Sequence, residues 1–147
     1  MGLLDIRGLS TRLASEAGWV HALDDLSLAI EKGQTFALVG ESGCGKSMTA
    51  LSIARLLPDS GAIVAGQVKL SEGSNSNTEG TDVLRISEMA MRTLRGKRIS
   101  MIFQEPGTSL NPVMTVGDQL AEVICLHTGA SKAQALKEAE AIVAKVG

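Results

Sequence analysis

Aromatic side chains are almost missing from this 147-residue chain: Trp19, Phe36 and Phe103 are all of them, and there is no tyrosine. That scarcity excludes the stacking platforms on which single-strand nucleic-acid binders hold bases. A basic excess is missing too. The 14 Lys and Arg stand against 16 Asp and Glu, a net charge of −2, so no nucleic acid or anionic membrane is implied as the main partner. No apolar run approaches the roughly 18 residues that a membrane-spanning helix needs. Asp5 and Arg7 stand where a secretory signal would have its apolar segment, and Ile6 breaks the myristoylation pattern that Gly2 would open. Two cysteines, Cys44 and Cys125, make no disulfide framework. Cytosol is the compartment these absences favour.

What is present is an ordinary globular composition, 44% apolar and 20% charged, in a length that suits one core. The most informative stretch is 34–57, QTFALVGESGCGKSMTALSIARLL. A short apolar run, Thr35 to Val39, reads as a strand. It leads into Gly40-Glu41-Ser42-Gly43-Cys44-Gly45-Lys46-Ser47, which fits the phosphate-binding pattern G-x-x-x-x-G-K-[ST]. Ala50, Leu51, Ile53, Ala54 and Leu57 then recur at helical spacing until Pro58.

The chemistry explains those residue types. Wrapping a polyphosphate in inward-pointing backbone N–H groups requires glycines that accept positive φ and let the anion approach. The helix start adds unpaired N–H groups and the positive end of its dipole. Lys46 would reach the β- and γ-phosphates, and the Ser47 hydroxyl would bind Mg²⁺. The bland alternative is a glycine-rich turn before an ordinary helix, and the flanking strand and helix weigh against it. The nucleotide-binding set is therefore Gly40, Glu41, Ser42, Gly43, Cys44, Gly45, Lys46, Ser47 and Met48.

Upstream, Leu4, Ile6 and Leu9 predict a first strand, Ser10–Gly18 a turn region, and Trp19 to Ile30 a second strand. Glu31-Lys32-Gly33-Gln34 predicts a tight turn. Downstream, Ala65–Leu70 reads as a strand and Ser71–Thr81 as a mobile low-complexity loop. Ser87 is placed to cap a short helix through Leu94. Arg95–Arg98 is a basic turn and Ile99–Phe103 a buried strand ending at Gln104. Two helices follow, Val116–His127 and Lys132–Val146, the second capped by Ser131. His21 and His127 have no metal-ligand spacing and read as surface or packing residues.

With VGESGCGKS at Val39–Ser47, LRGKRISMIFQEP at Leu94–Pro106 and TSLNPVMTVGDQLAE at Thr108–Glu122, the chain resembles the ATP-binding subunit of an ABC transporter, in the branch of peptide and nickel importers. The resemblance implies an α/β fold: the core of a P-loop NTPase of the ABC type, with an N-terminal antiparallel β subdomain and the start of a helical subdomain. It divides the chain into 1–115, the N-terminal part of that core, and 116–147, the start of the helical subdomain. Gln104 matches the glutamine of the Q-loop, which in the family touches Mg²⁺ and the attacking water; a neutral amide can do so without adding charge beside a triphosphate. Asn111, Pro112 and Met114 would lie near the transmembrane permease subunits, and Trp19 is either an adenine-stacking residue or a strand-face packing group. ATP and Mg²⁺ are the implied ligands. Permease subunits and a second ATP-binding subunit are the implied partners, on the inner face of the cell membrane.

These 147 residues contain no LSGGQ-type signature, no aspartate–glutamate pair closing an apolar strand, and no histidine placed as a switch. The family's glutamate polarises water, so the chain alone is expected to bind ATP without useful hydrolysis. It reads as an incomplete form of the core, expected to expose sheet edge and apolar surface. The Cys44 thiol, beside helix N-terminal amides and Lys46, is expected to alkylate readily and to be protected by ATP. Two alternatives stay open: a non-catalytic nucleotide-binding module, and another P-loop NTPase. A GTPase would need Asn-Lys-x-Asp, which is absent, and a small-molecule kinase a basic lid, for which the chain offers only Arg95–Arg98.

Overall fold

Two long strands set the architecture around the phosphate loop. The computed structural model describes residues 3–71, 80–103 and 109–146. It divides into two compact units, residues 1–91 and 92–147. In the first unit, β1 (Leu4–Ser15) and β2 (Gly18–Ile30) form an antiparallel hairpin. β3 (Gly61–Leu70) pairs with the other side of β1, and the two-residue β4 (Thr81–Asp82) with β3, giving the order β2-β1-β3-β4. Ile6, Leu9, Val68 and Val83 are fully buried at its centre.

The turn expected at Ser10–Gly18 is much shorter in the structure, because β1 runs on to Ser15. As a central strand it finds backbone partners on both sides, Arg12 with His21 on one and with Ala62 on the other, and that pairing outweighs its polar side chains. β3 likewise begins four residues before Ala65, and β4 falls at the end of the stretch read as a loop. The bulged pairing between β1 and β3 depends on Gly66, whose φ is +103 and where a Cβ would stand 2.5 Å from Leu9 Cα.

Helix α1 (Lys46–Ala54) packs on this sheet, stopping three residues short of Leu57 because Arg55 turns left-handed. Its anchor is a buried hydrogen bond, 2.9 Å, between the hydroxyls of Thr11 and Ser52, both fully buried. Two segments expected as strands are not strands in the structure. Among the described residues neither Thr35–Val39 nor Ile99–Phe103 joins a ladder, apart from one isolated bridge between Arg95 and Ile99. Val39 is 90% exposed and Ile102 98%. Apolar sequence favours a buried strand only where a neighbour supplies hydrogen bonds and cover, and none of the described strands lies beside them.

Helix α2 (Glu88–Leu94) is capped as expected, the Ala90 N–H donating to Ser87 Oγ at 3.2 Å. In the second unit, α3 (Val116–Thr128) starts at Thr115, whose Oγ1 accepts from the Asp118 N–H, and ends at left-handed Gly129. α4 (Lys132–Val146) opens on a reciprocal box: the Ser131 N–H donates to Gln134 Oε1 at 3.1 Å and the Gln134 N–H to Ser131 Oγ at 3.4 Å. Small buried residues, Ala121, Ala135 and Ala139, let α3 and α4 pack closely. No helix among the described residues is long and apolar enough to cross a membrane.

Lys132 Nζ lies 2.9 Å from the Asp118 carboxylate. The hydrogen bond from Lys132, then that from Thr115, hold the Asp118 carboxyl below the usual carboxylate range, and Asp118 in turn raises Lys132. A lowered carboxyl contributes stability above its unfolded pKa, near ~4, and loses it as pH falls through the native value. Thermal melts of wild type and Asp118→Asn are expected to differ at pH 6 and to converge below about pH 4. Thr11→Val leaves the Ser52 hydroxyl buried without its partner and is expected to cost about 1–3 kcal/mol in urea unfolding. The double change Thr11→Val/Ser52→Ala is expected to recover much of that loss.

Candidate functional site

The approach to the loop is a tight turn. The Gln34 N–H donates to Glu31 O at 3.1 Å, the Glu31 N–H to Gln34 Oε1 at 2.8 Å, and Gly33 takes a φ of +78. Residues 35–39 then run to the octet. Gly43 and Gly45 both lie in the left-handed region, at φ +85 and +89. Gly45 is demanded twice over, because a Cβ there would also stand 2.5 Å from the carbonyl oxygen of Ala22 in β2. This contact presses the loop against the edge of the hairpin.

Gly45 caps α1 without any side-chain hydrogen bond, and the first turn holds no acidic residue. The leading N–H groups of the helix therefore face outward with the positive end of the dipole and no side-chain anion to satisfy them. Lys46 folds back over the loop: its Nζ donates to Gly40 O at 2.7 Å and to Glu41 O, with Cys44 Sγ at 3.3 Å. Cys44 is a free, exposed thiol. A Cβ on Gly40 would come 2.6 Å from that sulfur, so Gly40 is the residue that gives it room. Glu41, Ser42, Gly43 and Ser47 are exposed, and Met48 is half-buried. An ammonium, a row of free N–H groups and a hydroxyl thus meet on one open loop, which suits a polyanion. Among the described residues no cluster of three or more His, Cys, Asp or Glu could hold a metal unaided.

The other expected site residues are distributed differently. Gln104 lies outside the described residues. Trp19, 56% exposed, pairs with Ala14 near the tip of the hairpin, and the Arg12 guanidinium covers its ring at 5.2 Å. Arg12 and Trp19 thus share one face of the hairpin. Thr11, the neighbour of Arg12 in β1, points to the other face and bonds α1. The arrangement turns Trp19 to the face opposite the one that bonds α1. His127 packs against Gly96, where a Cβ would come within 2.4 Å of its Nε2.

Sequence reasoning missed the supports of the loop: Ala22 and Leu23 behind Gly45, and Thr11 with Ser52. Polar Thr11 and Ser52 at otherwise apolar positions were the available signal. Trp19→Ala is expected to leave MgATP affinity within about twofold of wild type by calorimetry, since single cation–π contacts at exposed sites are weak. A much larger loss would return the indole to the nucleotide site.

Against this geometry, comparison with known proteins is specific. Residues 23–147 match the ABC transporter family. A Brucella melitensis protein named for peptide import and ATP binding is 47% identical over 146 residues, 99% of this chain and 42% of that one. The glutathione import ATP-binding protein of Salmonella typhimurium is 46% identical over 145 residues, covering 98% and 23%. The oligopeptide transport ATP-binding protein of the same organism is 43% identical over 136 residues, covering 92% and 38%. The chain therefore spans less than half the length of these relatives. A solved ABC transporter cassette in its dimeric form superposes with a TM-score of 0.71 at 18% identity, over 91% of this chain and 53% of that one. A second structure of that cassette, bound to ADP and phosphate, gives 0.69 at 19%, over 92% and 53%. At such identity these two matches speak for the fold alone. With the family match running from Leu23, just behind the phosphate loop, to the last residue, the chain belongs to the ABC transporter family.

Proposed function

We propose that this chain supplies the ATP-binding part of an importer subunit that, in its full length, couples ATP hydrolysis to the uptake of peptides or a similar small solute. The observation that carries the reading is the start of α1: an uncapped helix N-terminus behind two positive-φ glycines, with the Lys46 ammonium lying across the loop. On binding, phosphate oxygens replace the carbonyls of Gly40 and Glu41 as acceptors for Lys46. The N–H groups of 43–47 take the remaining oxygens. The Ser47 hydroxyl would help hold a Mg²⁺ ion bound with the nucleotide, which would supply positive charge to offset that of the phosphates. Gln104 orients the attacking water once the rest of the catalytic set is supplied.

The names of the relatives support import of peptides over other cargo. In the full protein, 1–115 forms part of the nucleotide-binding core and 116–147 begins the helical subdomain. The stretch about Asn111, Pro112 and Met114 meets the permease subunits, and a second ATP-binding subunit completes the site. Attachment to the inner face of the cell membrane is through the permease, and no nucleic acid is involved. These 147 residues alone bind MgATP without useful turnover, because they carry no residue matched to the family's water-polarising glutamate.

Lys46→Ala removes the cation that faces the β- and γ-phosphates. MgATP affinity is expected to fall by about a hundredfold, as loss of a charge-assisted contact of about 3 kcal/mol implies. The far-UV circular dichroism is expected to stay unchanged. Equal affinity in calorimetric titrations of the two proteins would overturn the assignment.

A further inference from the structure

We propose that Arg55 is a positioning residue for phosphate binding: by clamping the end of α1 to the start of α2, it fixes the direction in which the N–H groups at the other end of α1 point. The proposal rests on the reading of the loop as an ATP site. Arg55 ends α1 in the left-handed conformation, φ 52 and ψ 46. Side chains with a Cβ adopt that region rarely and at a cost, and glycine is its usual occupant at a helix end. The backbone task is done by main-chain bonds, the Arg55 N–H to Ser52 O at 3.1 Å and the Leu56 N–H to Leu51 O at 2.8 Å. A glycine would close the helix as well. The side chain must account for the arginine.

That side chain reaches far along the sequence. Nη1 donates to Ile86 O at 2.8 Å and to Val83 O at 3.2 Å, and Nη2 lies 3.6 Å from the carboxylate of Glu88, the first residue of α2. Only 25% of the side chain is exposed. A planar fork spread over two carbonyls and a carboxylate fixes its position more firmly than a lysine could. α1 is nine residues long, a rod of about 14 Å. Gly45 against Ala22 holds its first end, Ser52 bonded to Thr11 its body, and Arg55 its last. Gly45 and Ala22 are in close approach and not bonded, so without the third support the rod can pivot about the Thr11–Ser52 bond. Its leading N–H groups then swing from the phosphate oxygens, and such bonds weaken steeply with angle.

The test uses the 147-residue chain and two ligands, MgATP and inorganic tripolyphosphate, titrated well below the melting temperature. Arg55→Gly suits the backbone and deletes the clamp, while Arg55→Lys keeps the charge and loses the fork. Arg55→Gly is expected to bind both ligands about fivefold more weakly per folded molecule, the size typical of remote positioning effects. Arg55→Lys is expected to fall between it and wild type. A merely structural role would lower the melting temperature and leave both affinities unchanged, and that result would overturn the proposal. Should Arg55→Gly fail to fold, Arg55→Lys decides by the same two titrations. Failure of wild type to bind either ligand would overturn the ATP reading and this proposal with it. Wild-type binding with unaltered variants would overturn the role of Arg55 alone.

Discussion

A nine-residue helix carries the site, and it cannot stand alone. Helices this short are unstable in water without tertiary support, because nucleation is costly and few bonds follow it. The support here is the antiparallel sheet, which touches α1 through the buried Thr11–Ser52 hydrogen bond and through Ala22 behind Gly45. The geometry of the loop follows from that seating. The loop reverses where Gly43 and Gly45 allow it, and the lysine that opens the helix lies back over the loop. The small sheet is therefore part of what shapes the loop, through Thr11 and Ala22.

Much of this was legible in the residues because the relevant signals are local. The octet at Gly40–Ser47 prescribes a backbone shape, and glycines at the positive-φ positions are close to obligatory. Ser87 and Ser131 announce their helices because a cap is settled within four residues. Trp19 to Ile30 and Ala65–Leu70 show strand patterns. What stayed hidden depends on neighbours distant in sequence. The polar half of β1 is a strand because β2 and β3 flank it. Thr35–Val39 and Ile99–Phe103 carry strand-like composition but join no ladder of the described strands. The face taken by Trp19 follows from pairing register, Ala14 with Trp19 and Arg12 with His21, which no local pattern encodes.

The exposed apolar segments belong with the family comparison. Val39 and Ile102 stand in solvent, and the chain spans less than half the length of its importer relatives. The parts present make a coherent set. A sheet seats a helix, the helix presents a phosphate loop, and a separate pair of helices is closed by small residues and a Lys132–Asp118 bridge. That set is what the proposed phosphate site rests on.

The most direct measurement is a calorimetric titration of the 147-residue chain with MgATP, with phosphate release followed on the same sample. One saturable site and no released phosphate is the predicted result. A chain folded by circular dichroism that gives no binding heat at any MgATP concentration, over a range of temperatures, would contradict the claim that the sheet and α1 alone build the phosphate site.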